Sequence, residues 1–200
     1  LLPEPDERLR LEASVIHDVA GLDPRPIVAG IRPFRAPHHA TTLVGLIGGG
    51  SPPHPGEISL AHGGVLFLDE LTEFGPATLQ ALRQPLEDGS ITLVRAEGRV
   101  RFPARFALVA AANPCPCGFL GDPVRRCTCV AHEVQRFRGR IGGPLLDRFD
   151  MRLRIDRVDP ERIIGSGRRE GSSVVRARVL DARARACALG RSPSARLSGR

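Results

Sequence analysis

At 200 residues the chain has room for one domain and part of a second, and its 42% hydrophobic content is enough for a buried core. No apolar run approaches the roughly 20 residues of a membrane span, and no basic–apolar signal segment opens the chain, so a cytoplasmic setting with no membrane partner is expected. The net charge of +7 is local: residues 1–160 hold 19 arginines against 19 acids, and residues 161–200 hold 10 arginines against 3 acids.

Residues 7–20 read as a helix, with Leu9, Leu11, Val15, Ile16 and Val19 on a rough apolar stripe that Gly21, Pro24 and Pro26 bring to an end. The stretch 32–64, rich in Gly, Pro and His, reads as a long loop or insertion, a kind of segment that usually carries function. Val65-Leu66-Phe67-Leu68 is a continuous apolar run, which suits a strand buried on both faces of a parallel sheet. A helix opens at Pro76, buries Leu79, Leu82 and Leu86, is kinked or ended by Pro85 and closes at Gly89.

Residues 91–104 read as a β-hairpin, with Ile91, Leu93, Val100 and Phe102 alternating about Glu97-Gly98. Residues 106–112 form a second buried strand ending at Asn113, and a cysteine-bearing loop and a helix near 131–140 follow. Met151, Leu153 and Ile155 alternate with arginines as in a last strand. Ser172 and Ser173 can cap a basic helix that runs to about Leu189 and stops at Gly190. The alternation of strands and helices predicts an α/β sheet.

Three short stretches carry chemistry. Strand 65–68 ends in Asp69-Glu70, at the sheet edge where ligands bind in open α/β folds. One such acid can hold a magnesium ion through its waters, and its neighbour can polarise a water. Asn113, at the end of the next strand, would lie beside Glu70 and offer an amide donor to a phosphate oxygen. Arg148, in Pro144-Leu145-Leu146-Asp147-Arg148-Phe149-Asp150, brings a planar, permanent cation. It can act as a finger on a neighbour's phosphate or simply pair with Asp147 or Asp150.

Cys115, Cys117, Cys127 and Cys129 form two close pairs, and four thiolates suit tetrahedral zinc. Arg125 and Arg126 nearby would favour the thiolate form. Free thiols or a redox-sensitive loop are the alternative. Cys187 reads as a small buried apolar residue. His38 and His39 are adjacent, so an extended chain would point them to opposite faces. Ordinary loop histidines or a subunit contact fit them better than a metal pair. His17, His54, His62 and His132 show no usable partner spacing. Arg95, Arg99 and Arg101 on the hairpin are candidate DNA-phosphate contacts or a charged outer face.

The stretches RPFRAPHH, GEISLAHGGVLFLDEL, ALRQPLEDG, FPARFALVAAANPCPCGFLGDP and GPLLDRFD occur in order between Arg32 and Asp156. Together they resemble the magnesium-chelatase-like AAA+ ATPases of the ComM/YifB type. The resemblance implies a P-loop-type parallel sheet core over residues 1–160, followed by the basic start of a helical lid over 161–200. It makes Asp69 and Glu70 the Walker B pair, Asn113 sensor 1 and Arg148 the arginine finger. Residues 32–64 become a helix-2 insertion and 91–104 a pre-sensor-1 hairpin, with the four-cysteine loop at 115–129. It further implies ATP and Mg²⁺ as cofactors, a hexameric ring of identical subunits, and DNA as the partner in transformation and branch migration; structural Zn²⁺ is expected from the four cysteines themselves.

One element of that family is not found. No Gly-rich loop ending in Lys-Ser/Thr occurs, and the chain contains no lysine at all. The chain opens on Leu1 with its only methionine at 151, so it reads as a piece of a longer product, inactive alone. Two rival readings stand beside this one: the ATPase subunit of a magnesium chelatase that metallates porphyrin, and a non-enzymatic, zinc-bearing interaction module.

Overall fold

Three short parallel strands organise the chain in the computed structural model, which describes residues 2–95, 98–155 and 170–188. They are β1 (Phe34–Arg35), β4 (Val65–Leu68) and β7 (Ala107–Ala110), in the order β1-β4-β7. Phe34 pairs with Val65, Val65 with Ala107, and Leu68 with Ala110. All three strands therefore open at one carboxyl edge. They belong to a unit spanning Glu4–Phe149, and the described residues of 1–3 and 150–200 form a second.

Before β1 lie α1 (Glu7–Val19) and α2 (Arg25–Val28). Asp6 caps α1, its Oδ1 accepting the Leu9 N–H at 2.8 Å. The stripe expected from the sequence is rotated. Ala13, Ser14, Ile16 and His17 are buried, whereas Leu11, Val15 and Val19 are exposed. Two polar contacts override the apolar pattern. His17 Nε2 meets the Leu60 carbonyl oxygen at 2.9 Å, and Glu12 meets His62.

Residues 32–64 are not a plain loop. They hold β1, α3 (Leu43–Ile47), the small antiparallel pair β2 (Gly48–Gly49) and β3 (His54–Pro55), and α4 (Glu57–Leu60). Leu46 and Ile58 are fully buried in the main core beside Leu66 and Leu68, so this segment supplies core as well as surface. Elements this short carry no readable periodicity, and only burial reveals them. Arg35 grips Glu57 with two bonds of 2.6 Å, tying β1 to the start of α4.

β4 buries Leu66 and Leu68 completely, but Val65 and Phe67 only half. One face alone is sealed, a correction to the expectation of burial on both. The open face carries Phe67 stacked on Phe34, ring centroids 6.3 Å apart. The helix opening at Pro76 is divided into α5 (Pro76–Ala81) and α6 (Arg83–Asp88), with the break at Leu82. Pro85 causes it, lacking the N–H that would bond the Ala81 carbonyl. Gly89, in a left-handed conformation at φ 64°, closes α6.

β5 (Ser90–Arg95) and β6 (Gly98–Pro103) form the expected hairpin, with Ile91 opposite Phe102 and Leu93 opposite Val100. Ile91, Leu93 and Phe102 sink into the core. The rest of the predicted turn, Glu97, lies outside the described residues. After β7 come the cysteine loop, α7 (Ala131–Gly139) and α8 (Gly143–Leu146).

In the second unit, residues 151–155 form no strand. Met151, Leu153 and Ile155 are 73%, 76% and 86% exposed, and among the described residues none offers the ladder partner that alternation alone cannot supply. α9 (Ser172–Ala188) begins at the predicted serines, and the predicted stop at Leu189-Gly190 lies outside the described residues. No residue of α9 is buried, so Cys187 is exposed and not a core residue. Its apolar positions make no continuous stripe, and its charges pair locally, Arg178 with Glu170 and Arg185 with Asp181.

Candidate functional site

Asp69 and Glu70 follow β4 directly, at the carboxyl edge of the sheet, and both are exposed there. The turn that presents them is over-determined. Asp69 Oδ1 accepts the Glu70 N–H at 2.9 Å, and the Glu70 carbonyl accepts the Glu73 N–H at 2.7 Å. The Leu71 N–H donates to the Ala111 carbonyl on the neighbouring strand at 2.9 Å. Glu70 itself is left-handed, at φ 50° and ψ 47°. For a non-glycine residue that costs about 1 kcal/mol, a strain that persists where the surroundings hold it and the position has a use.

Asn113 lies three residues beyond the end of β7 and is exposed at the same edge. The β4–β7 register aligns Leu68 with Ala110, so Glu70 and Asn113 leave adjacent parallel strands in the same direction. Among the described residues no hydrogen bond joins them. The structure also puts His39 here, where the sequence favours an ordinary loop histidine or a subunit contact. Its Nδ1 lies 3.2 Å from Glu70 Oε2. The missed signal was the two-residue strand just before it: had β1 been legible, its carboxyl end would have pointed to this edge.

Arg148 follows α8, whose Leu145 is buried in the core. Its Nη2 donates to Glu87 Oε1 on α6. Its partner within the chain is therefore neither Asp147 nor Asp150. The pair is 43% exposed on each side, so the guanidinium is reachable from solvent. Arg99 and Arg101 are exposed on β6 opposite Val94 and Thr92, and Arg101 Nε donates to Ser90 Oγ at 2.9 Å. Arg95 pairs through its backbone with Gly98. A cleft of 160 Å³ between α5 and α8, lined by Leu79, Gln80, Arg140, Ile141, Pro144 and Leu145 among others, includes none of the predicted site residues.

The four cysteines converge. All four Sγ atoms lie within 4.8 Å of one another, with Cys115–Cys117 at 3.5 Å, Cys117–Cys127 at 3.6 Å and Cys115–Cys127 at 3.7 Å. A disulfide needs about 2.05 Å, so these are thiols. Four sulfurs around one tetrahedral zinc, each about 2.3 Å from it, would be about 3.8 Å apart, so the cluster fits such an ion.

The protonation pattern agrees with that fit. The Phe119 and Thr128 N–H groups draw the Cys117 thiol down to about 6. The Cys117 N–H pulls on Cys129, but burial and the neighbouring thiols outweigh it and push Cys129 up to about 12. One thiolate forms readily and opposes the next, so four together call for a cation. Arg125 plays no part in these shifts. It sits over the Phe119 ring, 5.2 Å from its centroid, where it braces the loop.

The family model described as magnesium chelatase, subunit ChlI, matches residues 1–163. The chain is 42% identical over 202 residues to the uncharacterized protein YifB of Salmonella typhimurium, covering 100% of this chain and 39% of that protein. It is 48% identical over 153 residues to the competence protein ComM of Haemophilus influenzae, covering 76% of this chain and 30% of that protein. More distant similarity, 29% over 107 residues, reaches the DNA replication licensing factor mcm6 of Dictyostelium discoideum, covering 53% of this chain and 11% of that protein. The chain thus spans between 30% and 39% of the length of its two nearer relatives named here.

Proposed function

The chain belongs to the magnesium chelatase subunit ChlI family, and from that premise we propose that it is part of the ATP-hydrolysing core of an AAA+ motor. The observation that carries this reading is the shared edge of β4 and β7, where a strained, exposed Glu70 stands next to Asp69 and one strand away from Asn113. Two exposed carboxylates at the open end of a parallel sheet suit a hydrated magnesium ion. When bound there, Mg-ATP supplies a γ-phosphate open to attack by water. Asp69 holds the cation's charge, Glu70 orients and deprotonates the water, and the Asn113 amide donates to oxygen at the same edge. Arg148 serves a neighbouring subunit's site, which makes the working form a closed ring, a hexamer in this reading.

The insertion 32–64 and the hairpin 91–104 are read as elements facing the ring's pore. Arg95, Arg99 and Arg101 then meet phosphate, and the partner is DNA handled during transformation or branch migration. The name of the mcm6 relative, a DNA replication licensing factor, supports a DNA partner. The four-cysteine cluster is read as a structural zinc site. No described helix is long and apolar enough to cross a membrane.

The test is Glu70→Gln in the full-length gene product. The amide keeps the side chain's size but cannot take a proton, so Mg-ATP binding is retained and turnover is lost. Asp69→Asn weakens magnesium-dependent binding instead. Turnover at the wild-type rate in Glu70→Gln would overturn the reading. The family's description favours a second reading, an ATPase that drives metal insertion into a porphyrin. Stimulation of turnover by DNA, steeply weakened by salt, supports the DNA motor; stimulation only by a porphyrin-binding partner supports the chelatase.

A further inference from the structure

We infer that the four-cysteine cluster is the anchor that places Asn113, so that filling it with a thiophilic divalent cation such as zinc sets the rate of turnover. The inference rests on the reading of Asn113 as a polar group of the hydrolytic edge and of the cysteines as a metal site.

Asn113 has to be placed by its backbone. Its side chain is exposed, and among the described residues it makes no hydrogen bond. The sheet does not reach it. The last sheet contacts of its strand are at Ala111, whose N–H donates to the Leu68 carbonyl and whose carbonyl accepts the Leu71 N–H, both at 2.9 Å. Asn113 comes two residues later, and a chain two residues past its anchor can sweep about 7 Å. A group that must meet a reacting oxygen needs placement to about 0.5 Å.

The next anchor is the cluster. Cys115 follows Asn113 by two residues and is fully buried, its Sγ 3.5 Å from that of Cys117 and 3.7 Å from that of Cys127. Asn113 is therefore the midpoint of the span 111–115, held by the sheet at one end and by the cluster at the other.

The far side of the cluster leads back to the same edge. Cys129 Sγ accepts the Cys117 N–H at 3.4 Å, and α7 starts two residues after Cys129. On α7, Arg138 Nε donates to the Pro114 carbonyl, and just past the helix Arg140 Nη1 donates to the Thr72 carbonyl in the turn after Glu70, both at 3.2 Å. Phe137, between these arginines, is buried. The end of α7 thus clasps the residue after Asn113 and the turn after Glu70, while the cysteines tie its start. Contacts between thiols are weak. Four bonds to one ion are strong, and their energy holds the loop closed.

Asn113 is the chain's only asparagine, so one backbone signal reports its mobility. In the 200-residue chain labelled with ¹⁵N asparagine and freed of metal under reducing conditions, its order parameter should be below about 0.6, rising to about 0.85 with one equivalent of zinc. A chain that takes up no zinc, or an Asn113 whose mobility zinc leaves unchanged, overturns the inference.

In the full-length gene product, assayed in excess Mg²⁺, kcat should be about ten- to a hundred-fold lower without zinc than with it, with little change in KM for ATP, as expected for misplacement of a group at the reacting centre. Cys127→Ala should stay slow when zinc is added. Cys127→His, which keeps four metal ligands, should recover part of the rate. The metal titration of the unaltered protein guards against a folding defect in either variant.

Equal kcat with and without zinc, beside a slow Asn113→Ala, removes the coupling and keeps Asn113 in the site. Wild-type turnover in Asn113→Ala, beside a dead Glu70→Gln, removes the inference and keeps Glu70 as the base. Turnover in Glu70→Gln removes both. A loss in Cys127→Ala with no recovery in Cys127→His, or an equal rise in KM, makes the cluster a brace for the fold and overturns its placing of Asn113.

Discussion

His62 and Glu12, fifty residues apart, meet inside the protein, with His62 Nε2 3.1 Å from Glu12 Oε2. His62 is fully buried, and its Nδ1 accepts the Arg105 N–H at 3.0 Å, so the neutral ring donates from Nε2 to the carboxylate. The contact docks α1 on the segment between α4 and β4.

This pair makes stability depend on pH. Burial pushes His62 below its ordinary value of 6.5, more than Glu12 raises it. The unfolded chain then binds the proton more readily, so the contribution is complete above pH 6.5 and is lost as pH falls from there toward the folded value. Glu12 is held below its ordinary 4.5, first by Arg8 and then by His62, and it adds a second loss at lower pH. The urea midpoint should fall between pH 7 and pH 5.5, and His62→Gln should flatten that slope. A wild-type midpoint unchanged over the range would contradict the assignment.

Gly64 is a position where backbone leaves no room. A Cβ there would run into the Pro33 carbonyl, the group that accepts the Val65 N–H at 2.9 Å and starts the β1–β4 ladder. Gly64→Ala should cost about 3 kcal/mol, because backbone and not a flexible side chain must yield. Gly139→Ala, in open space on α7, should be neutral or slightly stabilising. Equal denaturation midpoints for the two variants would show that β1 and β4 do not approach as described.

Zinc should accompany the chain at about one ion per molecule when it is purified under reducing conditions without chelators. Cobalt in its place should give the charge-transfer and ligand-field bands of a four-thiolate tetrahedron. Cys127→Ser should weaken binding and destabilise the loop between Asn113 and α7, since metal binding here is also folding energy. Elemental analysis showing a metal-free, equally stable chain would rule the site out.

Arg148→Ala should barely change stability, because its pair with Glu87 is exposed on both sides. In the full-length gene product it should abolish turnover. Mixing it with a variant lacking the phosphate-loop lysine should restore part of the activity, through interfaces that join an intact pocket to an intact finger. If rings shown by native mass spectrometry to be mixed remain inactive, Arg148 serves its own subunit or only pins α8 to α6.

The 200-residue chain by itself should bind Mg-ATP weakly, with no lysine anywhere to meet the β- and γ-phosphates. Micromolar affinity in a titration calorimeter would show that the acids and arginines suffice.

Much of the local geometry was legible in the residues themselves. An apolar run ending in Asp69-Glu70, a second strand delivering Asn113, a hairpin with alternating Ile91, Leu93 and Phe102, and two cysteine pairs are local patterns. Strand pleat, turn geometry and thiolate chemistry act over a few residues, so the sequence alone determines them.

What it could not determine were the partners. β1 is two residues long, too short for a period, and becomes a strand only because β4 lies beside it. From that hidden strand follow the meeting of His39 with Glu70 and the burial of Leu46 and Ile58 in what reads as a loop. Likewise Arg148 bypasses the acids beside it for Glu87, and α1 turns Leu11, Val15 and Val19 outward while His17 and His62 find their partners. The alternating residues after Asp150 find no described ladder partner and do not become a strand. Long-range contacts of this kind depend on which surfaces the packed chain brings together, and burying an unsatisfied polar group costs more than exposing a few apolar ones.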